Sequence, residues 1–205
     1  MFIGLTGTYC AGKNHIAALL EQLGLPVLDV DKLGYAVIEM EKEAITARFG
    51  SNIRQSDGTV DRRRLAERVF GRPEELAALE AIVHPAANIL TEKWIDGRGM
   101  KTCVINAALL HRSSVFKRLD CLILVEAPFL TRLLRARKRD RLSWLALFKR
   151  FASQKDFTTQ YLAGKADIYR VKNRGFLPAA SQRFQAKLER RIDEILIEAG
   201  VRCSC

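Results

Sequence analysis

The segment Gly7-Thr8-Tyr9-Cys10-Ala11-Gly12-Lys13 limits what this chain can become more than any other stretch of its length. It fits G-x-x-x-x-G-K. Before it, residues 2–6 form a short apolar run that reads as a buried strand. After it, residues 13–23 carry Ile16, Ala17, Leu19, Leu20 and Leu23 at helical spacing, and Gly24 stops the pattern. A strand that turns through glycines straight into a helix is the context in which this motif holds phosphate. Glycines let successive backbone N–H groups converge on an anion with no Cβ in the way. The helix N-terminus adds unpaired donors and the positive end of a dipole. Lys13 then reaches the β- and γ-phosphates as a point charge. The loop and its first helical turn (Gly7, Thr8, Tyr9, Cys10, Ala11, Gly12, Lys13, Asn14 and His15) are therefore the candidate ATP contacts.

The rest of the pattern says what surrounds the loop. Residues 26–29, 102–106, 121–126 and 168–171 read as further strands, rich in Val, Ile and Leu where they are longest. Continuous apolar runs of that kind suit a parallel sheet covered on both faces. Helical patterns fall at 32–40, 41–49, 129–140, 143–153 and 180–199. Asp57-Gly58 marks a turn. Between two strands, residues 61–96 read as helical throughout, broken at Gly71-Arg72-Pro73 and tolerating Pro85. Strands alternating with crossover helices give an α/β fold of three layers around a parallel sheet. The block at 61–96 reads as a helical subdomain inserted into it.

At 205 residues, with 48% hydrophobic and 28% charged residues, the chain can bury a full core and is not disordered in composition. Its formal charge is +11, from 34 Lys and Arg against 23 Asp and Glu, so it seeks anions. Nine basic residues and one acid, Asp140, lie between Arg132 and Lys155. No recognition motif supports a nucleic-acid partner, and the apolar runs are too short to span a bilayer. The N-terminus lacks the basic and apolar regions of a signal peptide. The expected compartment is the cytoplasm, with reduced thiols. Cys103 and Cys121 read as small buried hydrophobes, and Cys203-Ser204-Cys205 as an ordinary chain end.

Two carboxylates, Asp29 and Asp31, stand at the end of the second expected strand. In a parallel sheet, ligands bind beyond the carboxyl ends of the strands. Phosphoryl transfer to a hydroxyl needs a carboxylate to orient the acceptor or take its proton. On a strand, Asp29 and Asp31 share one side. Alone, Asp31 reads as a cap on the helix that follows; beside the loop at Gly7 it reads as functional. The residue after Lys13 is Asn14, where the motif carries Ser or Thr for Mg²⁺. Its amide oxygen is still a hard ligand, so Asn14 either adjusts the metal site or weakens it. Trp144, Phe148 and Phe151 are spaced as a packing stripe.

Gly4-Leu5-Thr6-Gly7, Gly12-Lys13, Val27-Leu28-Asp29-Val30-Asp31, Arg62-Arg63-Arg64-Leu65, Glu67-Arg68-Val69-Phe70 and Val83-His84-Pro85 together make a longer signature. It resembles dephospho-coenzyme A kinase over nearly the whole chain. The resemblance implies a phosphate-loop kinase fold. Its parts are a nucleotide-binding core (1–56, 100–128 and 156–205), a helical substrate subdomain (57–99) and a lid (129–155). It implies transfer from ATP to the ribose 3′-hydroxyl of dephospho-coenzyme A with Mg²⁺, by a monomer or weak oligomer. Asp31 matches the catalytic aspartate, and Arg139-Asp140 the start of the lid. Lys13, Asp31 and Arg139 become the catalytic candidates; Asp29, Arg63 and His84 the candidate substrate contacts; and Asn14 with Asp31 the candidate metal ligands. The chain departs from the family in four places. Asn14-His15 replaces Ser-Thr. Asn106-Ala107-Ala108-Leu109-Leu110-His111-Arg112 lacks the usual Asp, Pro and Glu. The Arg-Glu-x-Arg pattern expected after Gln154 is missing. Lys172-Asn173 stands for Asp-Asn. A non-catalytic binder of ATP or coenzyme A, or a kinase for another small acceptor, remains the alternative.

Overall fold

The computed structural model describes residues 1–99, 101–152, 157, 159–162, 166–175 and 181–201, with the side chains of Leu162 and Ser181 left aside. The Cys203-Ser204-Cys205 tail, the end of the expected lid at 153–155 and most of the segment after Gln154 lie outside these residues. In chain order the elements are β1 (Phe2–Gly7), α1 (Lys13–Gln22), β2 (Val27–Asp29), α2 (Val30–Met40), α3 (Lys42–Phe49), α4 (Arg62–Val69) and α5 (Pro73–Asp96). Then follow β3 (Cys103–Asn106), β4 (Cys121–Glu126), α6 (Phe129–Asp140), α7 (Trp144–Ala152), α8 (Thr159–Leu162), β5 (Asp167–Lys172) and α9 (Ser181–Glu198).

The strands form one five-stranded sheet in the order β2-β3-β1-β4-β5. β1 lies at its centre, parallel to β3 and β4, with Leu5 opposite Asn106 and Gly7 opposite Val125. Every residue of β3, and all but one end residue of β1 and of β4, is buried. That is why these strands read as continuous apolar runs and not as alternating ones. β5 is last in that order, parallel to β4, with three of its six residues exposed and only Val171 buried. On one face Ile3 and Leu5 pack with Ile16, Leu19 and Leu20 of α1 and with Ile192, Ile195 and Leu196 of α9. Each fully buried aliphatic side chain contributes about 1.5–3 kcal/mol. On β1, Gly4 leaves room for Leu110, Leu119 and Leu122, which a Cβ would meet at 2.7–2.8 Å. Cys103 and Cys121 are buried as expected. Burial pushes the Cys121 thiol up to about 11.

The short helix α8 has no signal in the sequence reading. It carries Tyr161, 1% exposed, whose hydroxyl bonds Thr6 Oγ1 at 3.2 Å, His111 Nδ1 at 3.1 Å and the Ala108 carbonyl at 3.2 Å. Burial, and then Arg112, lower the His111 pKa. His111 is thus a partner in a polar cluster built around the buried Tyr161 hydroxyl.

The chain divides into two compact units, one of residues 1–28 with 100–205 and one of Asp29–Gly99. The sequence reading divided the helical block at residue 57. The second unit has its own core, in which Ile45 and Phe49 of α3 join Ile53, Val60, Leu65 and Val69. Shared burial therefore groups α2 and α3 with α4 and α5. Among the described residues no helix is long and apolar enough to cross a membrane.

Candidate active site

β1 ends at Gly7, where a Cβ would lie 2.7 Å from the Val125 carbonyl oxygen and 2.9 Å from its Cβ. Only glycine lets the loop leave the sheet this close to β4. The chain then turns through Thr8–Gly12, with Ala11 N–H donating to the Thr8 carbonyl at 2.9 Å. Gly12 takes φ +94° and is the N-cap of α1, with no side-chain capping bond. Lys13 is the first residue of α1, and at a helix N-terminus the leading N–H groups are the donors that a bound anion can use, although His15 N–H already donates to the Gly12 carbonyl at 3.0 Å. Cys10 holds φ +59°, a left-handed conformation unusual for a residue with a Cβ. Partial burial raises its thiol pKa. This geometry is an anion cradle. His15 turns away from it, with Nε2 3.0 Å from Gln185 Oε1 on α9.

Loop residue Tyr9 meets the candidate lid helices. Its hydroxyl bonds the Asp140 carboxylate and accepts from Arg150 Nη1 at 3.3 Å. Its ring stands edge-on to Phe151 at 5.3 Å. Arg139 lies over that ring at 5.1 Å and donates to Asp140 through Nε at 2.7 Å and Nη2 at 3.2 Å. Arg139 holds the Asp140 carboxyl below its usual range, against the opposing effect of burial. Of the expected stripe, Phe151 packs on Phe129 at 5.1 Å and Phe148 stacks on Phe129 at 6.5 Å. Trp144 and Phe148 stay 48% exposed, so the stripe is only half a packing feature.

Beside the loop, at the carboxyl ends of β4 and β5, lies a cavity of about 340 Å³ lined by Thr8, Glu126, Pro128, Arg132, Lys172 and Arg174. Ligands bind at such strand ends. Arg132 Nε is buried there without a hydrogen-bond partner. Burial lowers the pKa of this guanidinium. A buried donor on a cation favours an anionic guest. The sequence does not single out Arg132 or, below, Arg135, because a run of basic residues does not show which member turns inward.

Asn14 Oδ1 accepts from Asn106 Nδ2 at 3.4 Å. Asn106 is 1% exposed, and its own Oδ1 is buried without a partner. The usual phosphate-loop metal shell has a hydroxyl at the first position and a carboxylate at the end of a neighbouring strand. Here two neutral amides stand there. Among the described residues no three His, Cys, Asp or Glu side chains gather as a metal-ligand set. Asn14 and the orphaned Asn106 oxygen nevertheless fit a hard cation whose charge is balanced by phosphates, since both are hard oxygen donors.

The remaining candidates lie in the Asp29–Gly99 unit. The expectation that Asp29 and Asp31 share one side of a strand is corrected. β2 stops at Asp29, and Asp31 lies in the first turn of α2. Asp29, not Asp31, is the N-cap, accepting from Lys32 N–H at 3.1 Å. Its carboxylate satisfies an orphan helix donor, which is what ends the strand there. Asp29→Ala is expected to destabilise the protein by about 1 kcal/mol, read from urea unfolding. Arg63 pairs with Glu67 at 3.1 Å, with 87% of its side chain exposed. His84 is half-buried on α5, just before Pro85.

The family model for dephospho-CoA kinase matches residues 1–174. The chain belongs to the dephospho-CoA kinase family. The dephospho-CoA kinase of Halalkalibacterium halodurans is 33% identical over 196 residues, 93% of this chain and 96% of its own. That of Shouchella clausii is 36% identical over 174 residues, covering 82% and 87%. Among solved structures, TT1252 from Thermus thermophilus superposes with a TM-score of 0.77 at 32% identity, covering 97% of each chain. A shikimate kinase from Bacteroides thetaiotaomicron, at 13% identity and a TM-score of 0.53, shares the fold alone. Dephospho-CoA kinases are kinases, and the expected phosphate-loop kinase fold and family both hold for this chain.

Proposed function

We propose that this chain makes coenzyme A by transferring the γ-phosphoryl group of ATP to the ribose 3′-hydroxyl of dephospho-CoA, with the following division of labour. The single observation that carries it is the loop from Gly7 to Lys13, opening into the uncapped N-terminus of α1. Its backbone N–H groups hold the β- and γ-phosphates, and Lys13 supplies a cation where charge grows during transfer. Arg139 exchanges its Asp140 partner for phosphate oxygens. Asp31 orients the acceptor hydroxyl and takes its proton. The acceptor oxygen then bonds to the γ-phosphorus as the bond to the β,γ-bridging oxygen breaks, and ADP departs with the electron pair. Arg63 and His84, with Asp29 at the start of α2, belong to the side that binds dephospho-CoA. Dephospho-CoA carries a pyrophosphate, which suits an exposed guanidinium.

Asn14, Asn106 and Asp31 would hold Mg²⁺. Mg²⁺ supplies neutralisation of the β- and γ-phosphate oxygens when bound. The two amides offer dipoles without charge, so Asp31 would supply the protein's only anionic ligand among these three. Asn14→Ser is expected to preserve or tighten the Mg²⁺ dependence of turnover, measured by titrating Mg²⁺ at fixed ATP. A tenfold loss, about 1.4 kcal/mol, would mean that the site is built around the amide. The reading extends to a cytoplasmic monomer or weak oligomer that acts without nucleic acid or membrane. It is tested by ATP consumption with dephospho-CoA present and absent. Consumption that ignores dephospho-CoA would point to another acceptor. ATP binding without consumption would point to a non-catalytic binder, which the neutral amide pair favours as the second reading.

A further inference from the structure

An anion-binding loop turns its N–H groups inward, so its carbonyls face outward and need donors of their own. Two side chains outside the motif supply them here. Arg135, in α6, donates from Nη1 to the Ala11 carbonyl at 2.9 Å and the Cys10 carbonyl at 3.3 Å. From Nη2 it reaches the Gly175 carbonyl at 2.6 Å, and Asn173 at Oδ1 (3.2 Å) and at its carbonyl (3.4 Å). Asn173, just past β5 and 4% exposed, donates Nδ2 to the same Ala11 carbonyl at 2.9 Å. Its own N–H is fixed on the Glu126 carbonyl at 2.7 Å. Two carbonyls of the loop are thus gripped from behind by a helix and by a strand end.

The grip falls where the loop is least able to hold itself. Cys10 is left-handed despite its Cβ, and Gly12 is left-handed as well. Unusual backbone angles persist only where the surroundings over-determine them. The Ala11 carbonyl and the Gly12 N–H belong to one peptide group. Drawing electron density toward that oxygen with a cation polarises the N–H on the other side, and linked hydrogen bonds strengthen one another. A Cβ on Gly12 would run into Asn173 Nδ2, so loop and clamp fit only as a pair.

We propose that Arg135 and Asn173 are positioning residues for nucleotide binding: they hold the Cys10 and Ala11 carbonyls so that the Gly12 N–H, on the far side of the Ala11 peptide group, stays presented to phosphate. The proposal rests on the phosphate-loop reading above. Lysine at 135 keeps the charge but cannot span the Cys10, Ala11 and Gly175 carbonyls, because the planar fork is lost. The test uses R135M, R135K and N173A in the full chain. ATP affinity is measured by calorimetry, and KM is measured for both substrates. R135M is expected to weaken ATP binding at least tenfold, with R135K and N173A intermediate, while KM for dephospho-CoA stays within about twofold of the parent. Should R135M fail to fold, R135K and N173A decide by the same readings. ATP affinity within twofold of the parent in both would overturn the proposal, as would equal losses for the two substrates, which would mark a general structural role. Failure of the unmodified chain to bind ATP is a different result. It removes the phosphate-loop reading and this inference with it.

Discussion

Lys13→Ala is expected to abolish measurable phosphoryl transfer and to leave the fold intact. Lys13 opens α1, while the helix is anchored by Ile16, Ala17, Leu19 and Leu20, all on its buried face. Truncating a partly exposed residue at position one of the helix removes none of that burial. What is lost, on the proposed mechanism, is a fixed cation beside the β- and γ-phosphates. Removing one preorganised partner of transition-state charge costs about 10²–10³-fold in turnover. ATP binding weakens too, since the same cation meets the ground-state phosphates. ADP formation under saturating substrates, with far-UV circular dichroism as the control, measures both parts. Near-normal turnover in a folded variant would remove Lys13 from the mechanism.

The second large effect falls on turnover alone. Asp31→Asn is expected to cut turnover by about 10²–10⁴-fold, the range of a lost general base, with little change in ATP affinity. An acceptor hydroxyl is a poor nucleophile until a carboxylate orients it or takes its proton. The amide keeps the shape of the side chain and removes charge and basicity. On the proposed mechanism the loop and Lys13 hold ATP, so its affinity should stay level or rise slightly as a negative charge disappears. Asp29→Asn should cost much less in rate, because Asp29 spends its carboxylate on the Lys32 N–H. Single-turnover rates and nucleotide titrations on both variants separate the two residues. Full turnover in Asp31→Asn would leave Asp31 as an acid at a helix N-terminus, where a negative charge is favourable in any case.

The contrast between these two aspartates shows where local pattern stops being informative. Asp-Val-Asp after an apolar run reads equally as the end of a strand or the start of a helix. The capping bond to Lys32 ends the strand at Asp29, two residues earlier than a shared strand face requires. The same holds for the basic run. Its spacing makes a helix over Phe129–Asp140 legible to the residue. It does not distinguish Arg139, paired with Asp140, from Arg135, turned onto the loop carbonyls.

What the sequence determined by itself is local or periodic. The strand, the glycine turn and the first helix follow from steric freedom at Gly7 and Gly12 and from apolar spacing in α1. The central strands follow from burial on both faces, which leaves continuous Val, Ile and Leu. The family follows because its signature is spread along the chain in order. Only tertiary structure decided the rest, because it depends on residues far apart in sequence meeting in space. Asn14 faces Asn106 across 92 positions. Asn173 reaches Ala11 across 162. Tyr161 closes on Thr6 across 155, from a helix of four residues too short to leave a period. A hydrogen bond between distant polar side chains leaves no periodicity in either segment, so these contacts could be read only from the folded chain.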